Sequence, residues 1–511
     1  MLPSTARFYN PDGPLHVAVL SVEETLNAGE YLIHLSRGKS ALQLPLENTY
    51  GPYPREEVPG YLAELAGFLR GEGFWRAGLH ELLADVQSED PAKRARAALR
   101  LGWRREIEAV DALLGLLPNA VDEVCAVVDA LGMIGDPRAI PHLRPVAQRK
   151  LLSRRRSGAE ALRNLGDQEG LTTVRQLALE RLPESVRAPA AAEPGDADKL
   201  TQAVLSLEIK DQGPALDTLY ELATPASVVA VRAILAKVNF AQAHLWRATK
   251  SIFKRSLLRC DYVMMGWLNH AVEARGRTTG GTSATVKSGY DGAQRHTPIF
   301  QKWTQQFMRR LTWRYLRDVA RYRPDEYAHA AAEVVIHFGP EDGDEYAYWG
   351  PRYGGCFALH QILYGASKRF EQSGRKPRFH YRHGLFGPKG KKAPPPEVHE
   401  EAYPHLWDAQ PRAFLRLLSA ARLPEAHAFA TRAVQTTHRT LVETATVAEV
   451  VGMLSAPYEP TVQLGLAELE RRFDPHNPDE EILNQLLRDE RPMVRELGQK
   501  WLHQTLPFWI G

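Results

Sequence analysis

Two clusters of cations interleaved with aromatic rings carry the strongest chemical signal in this sequence. The first runs from Lys302 to Arg323. It holds Lys302, Arg309, Arg310, Arg314, Arg317, Arg321 and Arg323 against one acid, Asp318, with Trp303, Trp313 and Tyr315 among them. On a helix, Arg310, Arg314, Arg317 and Arg321 recur at i+4, i+3 and i+4 and share one face, while Leu316 and Val319 turn away toward a core. The second cluster comprises Arg375, Lys376, Arg378, Arg382, Lys389, Lys391 and Lys392, with Phe379, Tyr381 and Phe386 interleaved in a loop. Cations beside exposed rings suit phosphate contact and base stacking. Arg149, Lys150, Arg154, Arg155 and Arg156 form a third patch. The bland alternative for all three is a solvated face whose arginines pair with acids on the next helix. With 64 basic and 61 acidic residues, a net +3, the whole molecule exerts no pull on a polyanion.

Other constellations are weaker. His380 and His383, with His399 and His405 downstream, have neither a cysteine nor a regular helix to make a metal site, and His399-Glu400-Glu401 lacks the HExxH spacing. The acidic aromatic stretch from Glu341 to Trp349 could meet a cation or a basic surface, but it lacks the sixth-position glycine and final glutamate of an EF-hand loop. No GxSxG elbow, P-loop, CxxC or GxGxxG after a strand is present, so no catalytic residue, cofactor or metal is assigned.

A chain of helices must position these groups. The 511 residues are 44% hydrophobic and 24% charged, ordinary for a folded protein. Three dispersed cysteines, Cys125, Cys260 and Cys356, fit a reducing compartment rather than a disulfide framework. The N-terminus lacks a signal-peptide pattern, and no apolar run approaches the roughly 20 residues that span a bilayer. A cytoplasmic protein without membrane contact is expected.

The segments ending Leu101-Gly102, Ile134-Gly135 and Leu165-Gly166 share an A-(A/L)-x-x-(L/I)-G pattern, with glycines 33 and 31 residues apart. That is the period of a two-helix unit. In the middle copy Gly135 can end one helix in the left-handed conformation, Asp136 can cap the next, and Pro137 suits its first turn. Leu82-Leu83 with Asp90-Pro91, Met453-Leu454 with Glu459-Pro460, and Leu486-Leu487 with Arg491-Pro492 repeat a second phrase: paired apolar residues, a polar turn, then proline. These phrases resemble HEAT repeats, particularly the short bacterial PBS-lyase HEAT-like type, whose consensus runs close to the sequence at 130–143. The clear matches cover 82–182 and 450–503. The first copy departs, with Trp103 to Glu108 replacing the short Gly-Asp-Pro turn.

The resemblance implies an all-α fold: an α-solenoid (a HEAT-like α/α superhelix) with a small irregular or strand-containing N-terminal segment. The divisions expected are a cap at 1–60, repeats at 61–182, a Pro/Ala linker at 183–197, and degenerate helical repeats at 198–340 with a Gly/Thr/Ser-rich insertion at 276–298. A loop-rich region at 341–398 and further repeats at 399–511 follow. A solenoid's usual work is holding another macromolecule. The expected function is therefore a non-catalytic scaffold or adaptor for a protein partner. The alternative is a nucleic-acid-binding solenoid using the arginine face and the basic loop. A role with a tetrapyrrole chromophore follows only from the repeat subfamily's name.

Overall fold

The computed structural model describes residues 79–149, 151–237, 243–275, 302–343, 352–372, 379–381 and 399–510, and the backbone of six strands at 5–9, 17–24, 30–37, 48–54, 282–287 and 294–300. The chain divides into two compact units, with the change between Val174 and Arg175.

The N-terminal segment is strand-containing. Strands β1 (Thr5–Tyr9), β2 (Val17–Glu24), β3 (Glu30–Arg37) and β4 (Asn48–Pro54) pair in sequence order as an antiparallel sheet. Leu20 lies opposite Leu35, and the β3–β4 register shifts between Tyr31 and Ile33.

Helices then follow as hairpins: α1 (Leu79–Val86), α2 (Pro91–Arg104), α3 (Val110–Leu116), α4 (Val124–Ile134), α5 (Ile140–Ala147), α6 (Leu152–Asn164) and α7 (Gln168–Arg181). The middle turn behaves as its residues dictate. Gly135 sits at φ 82, and its N–H closes on the Leu131 carbonyl. Asp136 accepts from the Arg138 N–H at 2.9 Å, and Pro137 occupies the first turn of a short 3-10 segment.

The first copy is in a different register from the one its glycine suggests. Gly102 lies inside α2, and the left-handed residue that ends this helix is Arg105, at φ 54. Arg105, Gly135 and Gly166 are the equivalent caps, spaced 30 and 31 residues apart. Gly102 corresponds instead to Gly132, and both make the stack possible. Helices α2, α4 and α6 pack in succession. A Cβ on Gly102 would lie 2.5 Å from Ala130 Cα, and one on Gly132 would lie 2.6 Å from Ala161 Cα. Leu101, Leu131 and Leu162 fill the core beside these contacts.

Charge then holds each repeat to the next. Arg94 pairs with Glu123, Arg138 with Asp111, and Arg144 with Asp167. Arg94 also donates to the carbonyls of Ser88 and Glu89. Near the other end of the chain Arg495 does the same to Asp489 and Glu490. Each of these arginines stands three residues after its phrase's proline, so in two of the three copies the phrase carries an arginine that ties down its own turn; the copy at Pro460 has Gln463 there.

In the second unit, 183–197 is not a plain linker. Helix α8 (Glu184–Ala191) occupies it and buries Val186 and Ala190, because alanine favours helix and Pro183 stands just before its first turn. Further on come α9 (Ala197–Leu205), α10 (Ile209–Leu222), α11 (Pro225–Lys237), α12 (Ala243–Leu258) and α13 (Tyr262–Arg275). The Gly/Thr/Ser-rich insertion carries a hairpin, β5 (Thr282–Lys287) with β6 (Gln294–Phe300).

Helices α14 (Lys302–Tyr322), α15 (Tyr327–Val335) and α16 (Phe357–Tyr364) follow, with the short pair β7 (Phe370–Gln372) and β8 (Phe379–Tyr381). Helices α17 (Pro404–Ala409), α18 (Arg412–Ala420), α19 (Pro424–Thr436), α20 (Val447–Leu454), α21 (Glu459–Arg472), α22 (Glu480–Arg488) and α23 (Pro492–Ile510) complete the unit. One layer runs α13, α15, α18, α20, each packed on the next. No helix among the described residues is long and apolar enough to cross a membrane.

Candidate functional site

The arginine-rich stretch is helical throughout α14. Met308, Thr312, Tyr315, Leu316, Val319 and Arg323 form its buried stripe, so Leu316 and Val319 reach the core as expected. The arginine stripe on the other side divides in two. Arg310 is only 4% exposed and does not belong to an open face, which corrects the four-residue reading. Arg314 is half-buried, and Arg317 and Arg321 are exposed. Spacing on a helix fixes which side a residue takes but not what covers that side, and at 308–310 α14 is covered on both. There Arg309 donates to the Gly355 carbonyl.

Beside the open half lies an aromatic series. Trp313 stacks on Tyr403 with centroids 6.3 Å apart and 30° between planes. Tyr403 meets Tyr327 edge-on at 5.0 Å, and Tyr327 meets Trp407, which packs on Phe414 and Phe429. The series thus begins at half-buried Trp313 and Tyr403 and ends in the core. Tyr403 adopts φ 54, a conformation that side chains beyond glycine enter at a cost. Burial raises its hydroxyl pKa, while the Arg317 cation opposes that shift and Asp318 adds to it. The Arg321 guanidinium lies 5.3 Å from the Tyr322 ring centroid.

The second cluster reads differently in three dimensions. Phe379 is 7% exposed and stacks on His360 at 4.1 Å and 8°, with Phe357 at 5.7 Å. It is a core ring, not an exposed stacking platform. Tyr381 is half-buried against Phe370. Arg375, Lys376, Arg378, Arg382, Lys389, Lys391 and Lys392 lie outside the described residues. In the third patch Arg154 donates to the Val121 carbonyl at 2.9 Å, an inter-repeat tie.

The acidic stretch is partly structural. Asp342 accepts from the Gly339 N–H and faces His270 Nε2 at 2.9 Å, and Glu341 pairs with Arg422. His399 pairs with Glu401. Among the described residues no group of three or more His, Cys, Asp or Glu side chains is placed to hold a metal ion.

Sequence reasoning missed the interior ion pairs of this region. Glu400, with a side chain 3% exposed, receives Arg369 in a two-pronged contact at 2.6 and 2.5 Å and the Ser367 hydroxyl at 2.7 Å. Glu333 receives Arg416, and Glu273 accepts the Ala358 N–H at the start of α16. Burial drives the His360 pKa down to about 3 and the His337 pKa down to about 4, the latter helped by the neighbouring His270, Arg232 and Arg416. Paired acids and bases far apart in sequence leave no local signal that would have found them.

Stacked helical hairpins with left-handed caps, glycine seams and arginine ties define the class as an all-α solenoid. Residues 77–163 match the family model described as HEAT repeats. That segment is thus built of HEAT repeats, as the phrases at 82–182 lead one to expect. No curated protein matches the chain in sequence.

Proposed function

We propose that the protein is a non-catalytic scaffold or adaptor whose solenoid holds a macromolecular partner, a protein, in the cytoplasm. The observation that carries this reading is how charge is used along the array. Arg94, Arg138, Arg144, Arg255, Arg369 and Arg416 are spent on holding helices to one another. The result is a pre-organised surface, which lowers the entropic cost of binding. Cys125, Cys260 and Cys356 form no disulfide with one another, which accords with a reducing compartment. The test is crosslinking in the native host followed by affinity purification and mass spectrometry. A stoichiometric protein partner is the expected result, and its absence at native expression would sink the reading.

A nucleic-acid role keeps one supporting observation, the exposed Arg317 and Arg321. Against it stand the burial of Arg310 and Phe379. A gel shift with mixed DNA and RNA at low salt decides: no shift removes this alternative.

A further inference from the structure

We propose that the exposed half of α14, with Tyr403 at its border, is a docking face for a carboxylate-rich segment of a protein partner. This rests on the scaffold reading and names the chemistry of what is held. Three observations combine. Arg317 and Arg321 are exposed and one helical turn apart, with half-buried Arg314 one turn before Arg317. Trp313 and Tyr403 lie stacked beside them, and Tyr403 is held by Tyr327 from the core side. Tyr403 stands in a left-handed conformation directly before Pro404, the first residue of α17. Arginine, tryptophan and tyrosine anchored on a rigid base are the residue types that dominate binding energy at protein interfaces.

The chemistry favours carboxylates over nucleic acid. Guanidinium groups take carboxylates in paired hydrogen bonds. Arg317 and Arg321 are about 6 Å apart along the helix axis, close to the roughly 6.6 Å between alternate side chains of an extended peptide. Base stacking needs a free ring face. Tyr403 already has Trp313 on one side and the edge contact of Tyr327 on another, and Phe379 is buried. With Arg310 covered, the open strip of charge among the described residues of α14 is also short, suiting two or three acidic side chains rather than a run of phosphates.

Fluorescence anisotropy on the full chain tests this with two labelled probes of matched charge, deca-glutamate and a single-stranded thymidine oligonucleotide, at 50 mM and 200 mM salt. Deca-glutamate should bind at low salt, and Arg317→Glu with Arg321→Glu should weaken it at least tenfold. Trp313→Ala should weaken it about threefold. Arg138→Glu, an exposed reversal in the first unit, should leave it unchanged. Circular dichroism melting of each variant confirms folding, since Arg317 and Arg321 face solvent.

No deca-glutamate binding at 50 mM salt, or binding indifferent to the double reversal, overturns the proposal. So does tighter oligonucleotide binding that the same reversal abolishes, which would favour nucleic acid instead. If a crosslinked partner persists with the double variant, this face is wrong while the scaffold reading stands. If no partner is found with the native chain, the scaffold reading itself fails.

Discussion

The repeats at 79–182 and the helices at 243–436 solve the same packing problem with different chemistry. In the first region, helices approach through glycine and alanine, and acids are buried singly at the repeat junctions, Glu123 under Arg94 and Asp167 under Arg144, while Arg138 and Asp111 pair in solvent with side chains 53% and 79% exposed. In the second, the layer from α13 to α18 buries Glu273, Glu333, Glu400 and His360 among large rings. Exposed pairs contribute about 0–1 kcal/mol each, whereas a buried pair is costly to break because the survivor is stranded. The regular region is thus tolerant and modular. The irregular one is over-determined, which suits a region that must hold a surface in one shape.

That contrast can be broken or sharpened by substitution. The largest effect should come from Gly266→Ala, which places a methyl on the Glu333 carbonyl and drives α13 from α15. A loss of about 3 kcal/mol or more is expected from such overpacking, read as an earlier urea midpoint. If Gly266→Ala is tolerated, the second region is looser than its contacts indicate.

Next, Arg369→Met leaves Glu400 buried without its guanidinium and should cost about 3 kcal/mol, while Arg138→Met, at a solvated pair, should leave the melting temperature nearly unchanged. Equal costs in thermal melts would erase the distinction between the two regions.

Acid should separate them too. His360 and His337 are held neutral, with pKa values lowered by burial to about 3 and about 4. Unfolding frees them to bind protons below their unfolded value of roughly 6.5. Their contribution is therefore complete above that pH and declines as pH falls toward 4 and then 3. In the first region, Arg138 holds Asp136 and Arg144 holds Asp167 below the usual carboxylate range. Stability from these pairs persists until pH falls through about 4 and below. Hydrogen exchange from pH 7.5 to 5 should show 327–338 and 357–364 losing protection while 91–147 keeps it. His360→Leu with His337→Leu should flatten the difference.

The smallest effect concerns a cap. Gly135 and Gly166 end their helices at positive φ, whereas α10 ends on Ala223 at φ 51. Ala223→Gly should stabilise by about 0.5–1 kcal/mol. A destabilisation would show that the alanine side chain contributes more than the strain costs.

Legibility followed how local the cause was. The Gly135-Asp136-Pro137 turn, the helical face of α14 and the inward turn of Leu316 and Val319 were readable because each depends on neighbours within a turn or two. The register of the first copy was not. Gly102 sits where a cap glycine would, and nothing in the composition marks Arg105 as the left-handed residue. Arg310 and Phe379 were misread for a related reason: amphipathic spacing identifies sides, and only the tertiary fold decides which side is covered. The acids of the interior find their bases 31 to 83 residues away, as Glu400 does in Arg369 and Glu333 in Arg416. Tyr403 carried no sequence signal beyond the proline that follows it.

The glycine seams have one further consequence. Gly102 against Ala130 and Gly132 against Ala161 present the same chemistry on successive junctions. A segment such as 105–135 therefore already fits both the neighbour it has and a copy of itself. An in-frame duplication of it would meet a familiar surface on each side and extend the stack by about one helix spacing, roughly 10 Å. The length of the array is in this sense an inheritable variable, adjustable one unit at a time without inventing a new junction.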